Sequence, residues 1–407
     1  MVELRRTLNL GQCIFFGVGS ILGAGIYTLL GKVAGWAGNL TWLSFLVASL
    51  AAFCTAFSYA ELSASMPKAG GEYVYVKKAF GKRTGTALGL IISANGIISG
   101  ATVSVGFAGY FSELLPISEL IASLGIIGLL FFINVSGIKQ SSTVNIIFTI
   151  IEAAGLLFVI YAAIPFLGSV NYFELPEDGP NGFFTAAALG FFAYIGFEEI
   201  VKLAEETNDP EKKIPKALFI ANGIVGVMYV LVAICAVSVI PWQQLGESDS
   251  PLADIVGGRF GATAVTAISI IALFSTANTI LSNMLGSSRV LLNMSKEITW
   301  MKRLSFVSAK KKTPVAALVL ILIVMCCFAL IGKIETIARI ANLFIFATFL
   351  FINVSVIVLR KKAGGMKRPY RIPGTIKDIP LVSIVGILLI LLLLYYNVAA
   401  LVKGVTA

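Results

Sequence analysis

The chain has 407 residues, 57% hydrophobic and 13% charged, with a formal charge of +10 and no histidine. Soluble domains are nearer about 45–50% apolar and about 25% charged, so a soluble globular protein is excluded. Apolar runs repeatedly reach the roughly 20 residues that span a bilayer, which makes this an all-α polytopic membrane protein. Without histidine, proton chemistry falls to carboxylates, lysine or tyrosine. Cys13, Cys54, Cys235, Cys326 and Cys327 all sit in apolar segments without metal-ligand or disulfide spacing, so they read as small buried hydrophobes and no cofactor or metal is expected.

Eleven transmembrane helices are expected, at 10–36, 41–66, 84–112, 119–136, 143–167, 182–204, 215–240, 260–290, 314–332, 335–359 and 380–402. Arg5 and Arg6 precede the first run, which is too long for a signal peptide and is read as a retained span. With the N-terminus cytoplasmic and the C-terminus outside, all but five of the 31 lysines and arginines fall on the cytoplasmic side. The five are Lys32, Arg259, Lys333, Arg339 and Lys403. The basic excess is therefore a topology signal, and no nucleic acid is expected as a partner. The outer segments agree, the longest of them (241–258) carrying Glu247, Asp249 and Asp254.

The first span holds Gly17-Val-Gly-Ser-Ile-Leu-Gly-Ala-Gly-Ile-Tyr27. Each glycine costs roughly 1 kcal/mol against alanine inside a helix. Broken helices persist in a bilayer only where the freed backbone faces protein, water or ligand. Two half-helices meeting near Leu22–Gly25 are expected, although Gly19 and Gly23 also read as a small-residue packing face. The sixth span repeats the pattern: Gly190 and Gly196 are followed by Glu198 and Glu199. Spans one and six are five apart, so the halves would insert with opposite orientation, as in an inverted repeat with paired discontinuous helices. The expected organisation is a first repeat at 1–170, a second at 171–360, and a basic loop with one extra helix at 361–407.

Three stretches resemble the amino acid–polyamine–organocation superfamily of transporters. They are Gly19-Ser-Ile-Leu-Gly-Ala-Gly-Ile-Tyr27; Tyr59-Ala-Glu-Leu-Ser-Ala-Ser-Met-Pro-Lys-Ala-Gly-Gly-Glu-Tyr-Val-Tyr75 with Ala79-Phe-Gly81; and Phe192-Ala-Tyr-Ile-Gly-Phe-Glu198 with Glu205-Glu-Thr-Asn-Asp-Pro210 and Ile214-Pro215. Many members have twelve spans, so contacts of the last span, a dimer interface included, do not carry over. The resemblance implies a five-plus-five inverted-repeat fold with substrate between the broken helices. Half-helix N-termini suit a carboxylate and half-helix C-termini suit an ammonium. The N–H groups of Gly23, Ala24 and Gly25 would hold an α-carboxylate. The carbonyls of Ile21, Phe192, Ala193 and Ile195 would hold an α-ammonium, with the Phe192 ring as a lid. Valine at Gly25 is expected to fill the carboxylate site.

Intramembrane acids come next, since they are costly and usually functional. Glu152 lies mid-span in the fifth helix and must carry a proton, sit beside a cation, or bond a neighbouring serine or backbone group. The resemblance assigns Glu198 to a polar network that responds to occupancy. Glu199, about 100° round an ideal helix, is expected to face elsewhere. Glu61 reads either as an inner gate or as a surface ion pair with Lys68, Lys77 or Lys78. Ser275 and Thr276 face the first helix or simply bond their own helix. An enzyme is not expected: there is no metal cluster, and Gly17-Val-Gly19 does not continue as a dinucleotide fingerprint. A channel would need charge rings or a repeated filter, and a receptor a sizeable extramembrane domain. The expected function is a permease of the cell membrane that moves an α-amino acid by alternating access, coupled to protons or a monovalent cation. With no acid in span three or in Gly17–Tyr27, neutral amino acids are the expected cargo. The alternatives are an exchanger or a carrier of cationic amino acids or polyamines.

Overall fold

The computed structural model describes residues 6–176, 178–248, 250–330 and 334–406. Arg5, Asp249 and Lys333, which enter the charge reading, lie outside the described residues, as do the side chains of Arg339 and Lys403.

The helices in chain order begin with α1 (Leu10–Leu22), α2 (Ala24–Ala37), α3 (Thr41–Ser65), α4 (Glu72–Phe80), α5 (Lys82–Leu114), α6 (Glu119–Ser136) and α7 (Ile138–Ala163). Then come α8 (Gly179–Gly190), α9 (Glu199–Lys202), α10 (Pro210–Val239), α11 (Trp242–Glu247) and α12 (Pro251–Phe260). The last four are α13 (Ala262–Ser295), α14 (Val315–Ala329), α15 (Ile334–Lys362) and α16 (Leu381–Thr406). Among the described residues, ten segments are long and apolar enough to cross a membrane. The ninth expected span is represented by α14, whose 15 residues rise about 22 Å, less than the roughly 30 Å of a hydrocarbon core. The expected outer loop 241–258 is largely helical, and α11 packs on α2.

Local chemistry sets several boundaries. α1 starts with a capping box: the Gln12 N–H donates to the Asn9 side chain and the Asn9 N–H to that of Gln12, each at 2.9 Å. α10 starts at Pro210, where the missing N–H costs nothing. Between α15 and α16 a small hairpin pairs Thr375–Ile376 with Ile379–Pro380. Its two turn residues, Lys377 and Asp378, have φ of 46° and 64°, the sign that a tight right-twisted hairpin requires.

Two spans are discontinuous. The first breaks at Gly23 (φ −32°, ψ −161°) between α1 and α2. The sixth ends as α8 at Gly190, passes through a 3-10 turn at Phe191–Tyr194, and resumes as α9 after Gly196. The core gathers round them: α1 and α3 pack along α10, and α13 packs along α5. Phe132, Leu157, Val227 and Leu388 are exposed on the outside, as expected of surfaces that meet lipid.

The basic segments meet at one end of the bundle. Leu8 bridges Thr207, the Ala69 N–H donates to Glu205, Lys296 pairs with Glu205, and Lys77 pairs with Glu297. At the opposite end the Trp42 indole donates to the Tyr172 carbonyl, Lys32 to the Gly246 carbonyl, and the Tyr396 hydroxyl to Asn181. Three cations that the sequence reading counted on the cytoplasmic side, Lys202, Arg289 and Arg360, are buried inside the protein. Each has a carboxylate partner, which is what makes an interior cation tolerable.

Candidate functional site

The two breaks touch. Gly196 has φ +128°, and a Cβ there would overlap the Ser20 carbonyl and lie 3.1 Å from the Ile21 nitrogen. Both its φ and this approach demand glycine. On the other side of the crossing, a Cβ on Gly25 would lie 2.7 Å from the Ala193 Cα. Each broken span therefore leans its main chain directly against the other.

Beside this crossing lies a cavity of about 60 Å³, room for several groups of water size at on the order of 10–15 Å³ each. Ile21, Gly23, Gly25, Phe192, Ala193, Ile195 and Glu198 line it. Ala24 supplies the first residue of α2, between two of the lining glycines. α2 starts without a side-chain cap, so its leading N–H groups have no partner within the helix. Two of the four proposed acceptors are partly engaged. The Ile21 carbonyl accepts from the Tyr229 hydroxyl at 2.7 Å, and the Phe192 carbonyl from the Ile195 N–H at 3.2 Å. A carbonyl oxygen has two lone pairs, so each retains capacity for a ligand.

Glu198 and Glu199 both line the cavity, which corrects the expectation that they face apart. The 100° rule belongs to a regular helix, and Glu198 precedes α9 at its N-cap. There its Oε2 accepts from the Gly196 N–H at 2.8 Å and closes the break from within. Glu72 and Lys202 line the same cavity. Sequence reading missed both, Lys202 because it was counted only toward the cytoplasmic charge excess.

Glu152 does not reach this cavity. It is fully buried on α7, where Asn278 of α13 stands beside its carboxyl group and no cation pairs with it among the described residues. Its main-chain carbonyl accepts from the Tyr27 hydroxyl at 3.2 Å, which fixes it beside α2. The expected bond to a serine or backbone group is absent among the described residues. Toward the basic end, α7 and α13 build a polar seam against α1. Asn145 Nδ2 donates to Asn278 Oδ1 at 2.7 Å, Asn278 Nδ2 reaches the Gly19 carbonyl and the Thr149 hydroxyl at 3.3 Å each, and the Ser20 hydroxyl donates to Ser282 at 3.0 Å. Asn145, Thr149 and Glu152 share one helix face by spacing, a readable signal that sequence analysis passed over.

Ser275 and Thr276 do not line the cavity. The Thr276 hydroxyl donates to the Ala272 carbonyl of its own helix at 3.0 Å, and the buried Ser275 hydroxyl has no partner among the described residues. α13 reaches the cavity further along, with Thr279, Ser282 and Asn283. Glu61 is not a surface pair with Lys68, Lys77 or Lys78. It is buried and gripped by Arg360 at 2.8 and 2.5 Å, by Arg368 at 3.3 Å and by the Ile372 N–H at 2.9 Å.

A sequence profile of the amino acid permease family matches residues 8–406. The chain is 30% identical to the branched-chain amino acid permease BcaP of Bacillus subtilis, over 96% of this chain and 88% of that one. It is 28% identical to cationic amino acid transporter 1 of Arabidopsis thaliana, over 89% of this chain and 64% of that protein. It is also 28% identical to the methylthioribose transporter of Bacillus subtilis, over 94% of this chain and 87% of the other.

Proposed function

The chain belongs to the amino acid permease family, and from that premise we propose that it is a secondary transporter carrying an α-amino acid across the cell membrane by alternating access. The observation that carries this reading is the contact of two broken spans beside one cavity. The N–H groups of Gly23, Ala24 and Gly25 receive the α-carboxylate, the carbonyls of Ile21, Phe192, Ala193 and Ile195 receive the α-ammonium, and Phe192 covers the substrate. The fold is read as two inverted repeats, 1–170 and 171–360, rocking about this site, with 361–407 outside the repeats and α14 counted as an eleventh span. Gathering of the basic segments at one end supports a cytoplasmic N-terminus and an external C-terminus.

The cargo is read as a neutral amino acid. The relatives support amino acids as a class, and neither span three nor Gly17–Tyr27 offers an acid to a cationic side chain. Coupling is assigned to Glu152, whose burial without a cation partner among the described residues supports a proton held there. Ser275 and Thr276 are retained as minor gating candidates. The test is uptake of labelled amino acids into proteoliposomes with and without an inward proton gradient, for wild type and Glu152→Gln. Gradient-driven accumulation of a neutral amino acid that the variant loses supports the reading. Coupled uptake that survives the change removes Glu152 from it, and uptake that requires a second amino acid inside makes the protein an exchanger.

A further inference from the structure

Two other buried acids are matched by cations. Glu206 meets Arg289 through two bonds of 3.0 and 2.9 Å, and Glu61 meets Arg360 and Arg368. In the substrate cavity the matching fails. Glu72, Glu198, Glu199 and Lys202 all line it, and none is more than 4% exposed. The ion pair among them joins Lys202 to Glu199. Three carboxyl groups thus share one ammonium.

The hydrogen bonds do not make up the difference. The Tyr59 hydroxyl of α3 donates to Glu72 Oε1 at 3.2 Å, and the Gly196 N–H to Glu198 Oε2. Glu72 Oε2 and Glu199 Oε2 have no partner among the described residues. Tyr75 of α4 packs near Glu72 with its hydroxyl also unpartnered. α13 contributes Gly286, where any Cβ would overlap Glu199 Oε2, and one turn on Arg289, which is committed to Glu206. Fully ionised, the set would hold two uncompensated negative charges away from water, where even one is prohibitive.

We propose that Glu72, Glu198, Glu199 and Lys202 form a site for a transported positive charge, separate from Glu152. The charge is a proton or small monovalent cation travelling with a neutral amino acid, or the ammonium or guanidinium end of a basic side chain. The site rests on the transporter reading and adds a second place where charge is carried. Glu72 stands on α4 and Glu199 on the resumed sixth span, so an arriving cation draws these two elements together and its departure lets them part.

The test is the melting temperature of the purified full-length protein in detergent. It is measured in choline chloride, then with sodium chloride, potassium chloride, L-lysine, L-arginine or a panel of neutral L-amino acids at matched ionic strength, at acid and at neutral pH. Wild type should be stabilised by one of three additions: acid, an inorganic cation or a basic amino acid. The arm that responds identifies the source of the charge. Glu72→Gln and Glu199→Gln should each lose that response. Lys202→Met, which removes the resident cation, should respond at a cation concentration at least about tenfold lower, since one charge pair in a low-dielectric site is worth 1.4 kcal/mol or more. Should the Gln variants fail to fold, Glu72→Asp and Glu199→Asp should show a weakened response. A wild type indifferent to all three additions, or folded variants that respond as wild type does, would overturn the site. Loss of every amino acid response from wild type, with the cation response intact, would overturn the transporter reading and leave the site standing.

Discussion

Gly196→Ala is the sharpest probe of the crossing of the two breaks. At φ +128° an alanine is strained, which costs of order 1–3 kcal/mol. The new methyl group also has no soft neighbour to push aside. It meets the Ser20 carbonyl oxygen, with the Ser20 carbonyl carbon 2.6 Å away and the Ile21 nitrogen at 3.1 Å. Relief therefore requires the whole first span to back away from the sixth. If the touching arrangement is visited in every transport cycle, a penalty of about 2 kcal/mol lowers its population roughly 30-fold. Gly223 of α10 is the control, because a Cβ there has nothing within 4 Å. Gly223→Ala should stabilise slightly and transport normally. The assay is the initial rate of labelled amino acid uptake in proteoliposomes, normalised to monodisperse protein. Gly196→Ala working within threefold of Gly223→Ala would refute the claim that main-chain contact between the breaks is needed.

Three further outcomes follow from the buried charges and the polar seam. Arg289→Met leaves Glu206 buried without its cation and should cost about 3–5 kcal/mol, a fall of roughly 4–6 °C in melting temperature; the double variant Glu206→Gln/Arg289→Met should recover most of it, and equal losses in single and double variants would contradict the pairing. Glu61→Gln loosens the clamp on the segment between α15 and α16. Charge-assisted bonds are worth about 1.5–3 kcal/mol each, so limited trypsin cleavage among Lys361, Lys362, Lys367, Arg368, Arg371 and Lys377 should speed up at least about tenfold, with an unchanged rate counting against the clamp. Asn278→Ala removes the bonds that tie α13 to the Gly19 carbonyl and to Thr149; uptake should fall several-fold with little change in melting temperature, and a variant that melts far lower would assign the seam to folding.

The discontinuity of spans one and six was legible because its cause is local. Glycine weakens a helix wherever it stands, and Gly17–Gly25 concentrates four of them. The same locality explains what was misread. A helical wheel turned Glu199 about 100° away from Glu198, but the wheel presumes a helix, and the break at Gly196 removes it just there. Glu61 was matched to nearby lysines, whereas its partner Arg360 stands 299 residues away. Sequence spacing carries no information about such a pairing. The seam of Asn145, Thr149, Asn278 and Ser282 is intermediate, since its helix faces were readable and their meeting was not.

Gly25 shows how one residue can satisfy two accounts at once. On sequence grounds its missing side chain leaves room for a carboxylate, and valine there should block binding. In the structure, the space a Cβ would take is already held by the Ala193 main chain at 2.7 Å. Gly25→Val would therefore drive the breaks apart before it excluded any ligand, and lost binding in that variant cannot distinguish recognition from packing. Gly23 separates the two. A Cβ there would overlap the Thr279 hydroxyl, the end of a side chain and not main chain. Gly23→Ala combined with Thr279→Ala restores the space while leaving the N–H groups of α2 in place, so the pair should bind substrate where Gly23→Ala alone does not. Binding that stays lost in the pair, in a protein that melts as wild type does, would mean that the glycine serves the backbone conformation of the break and not the approach of the ligand.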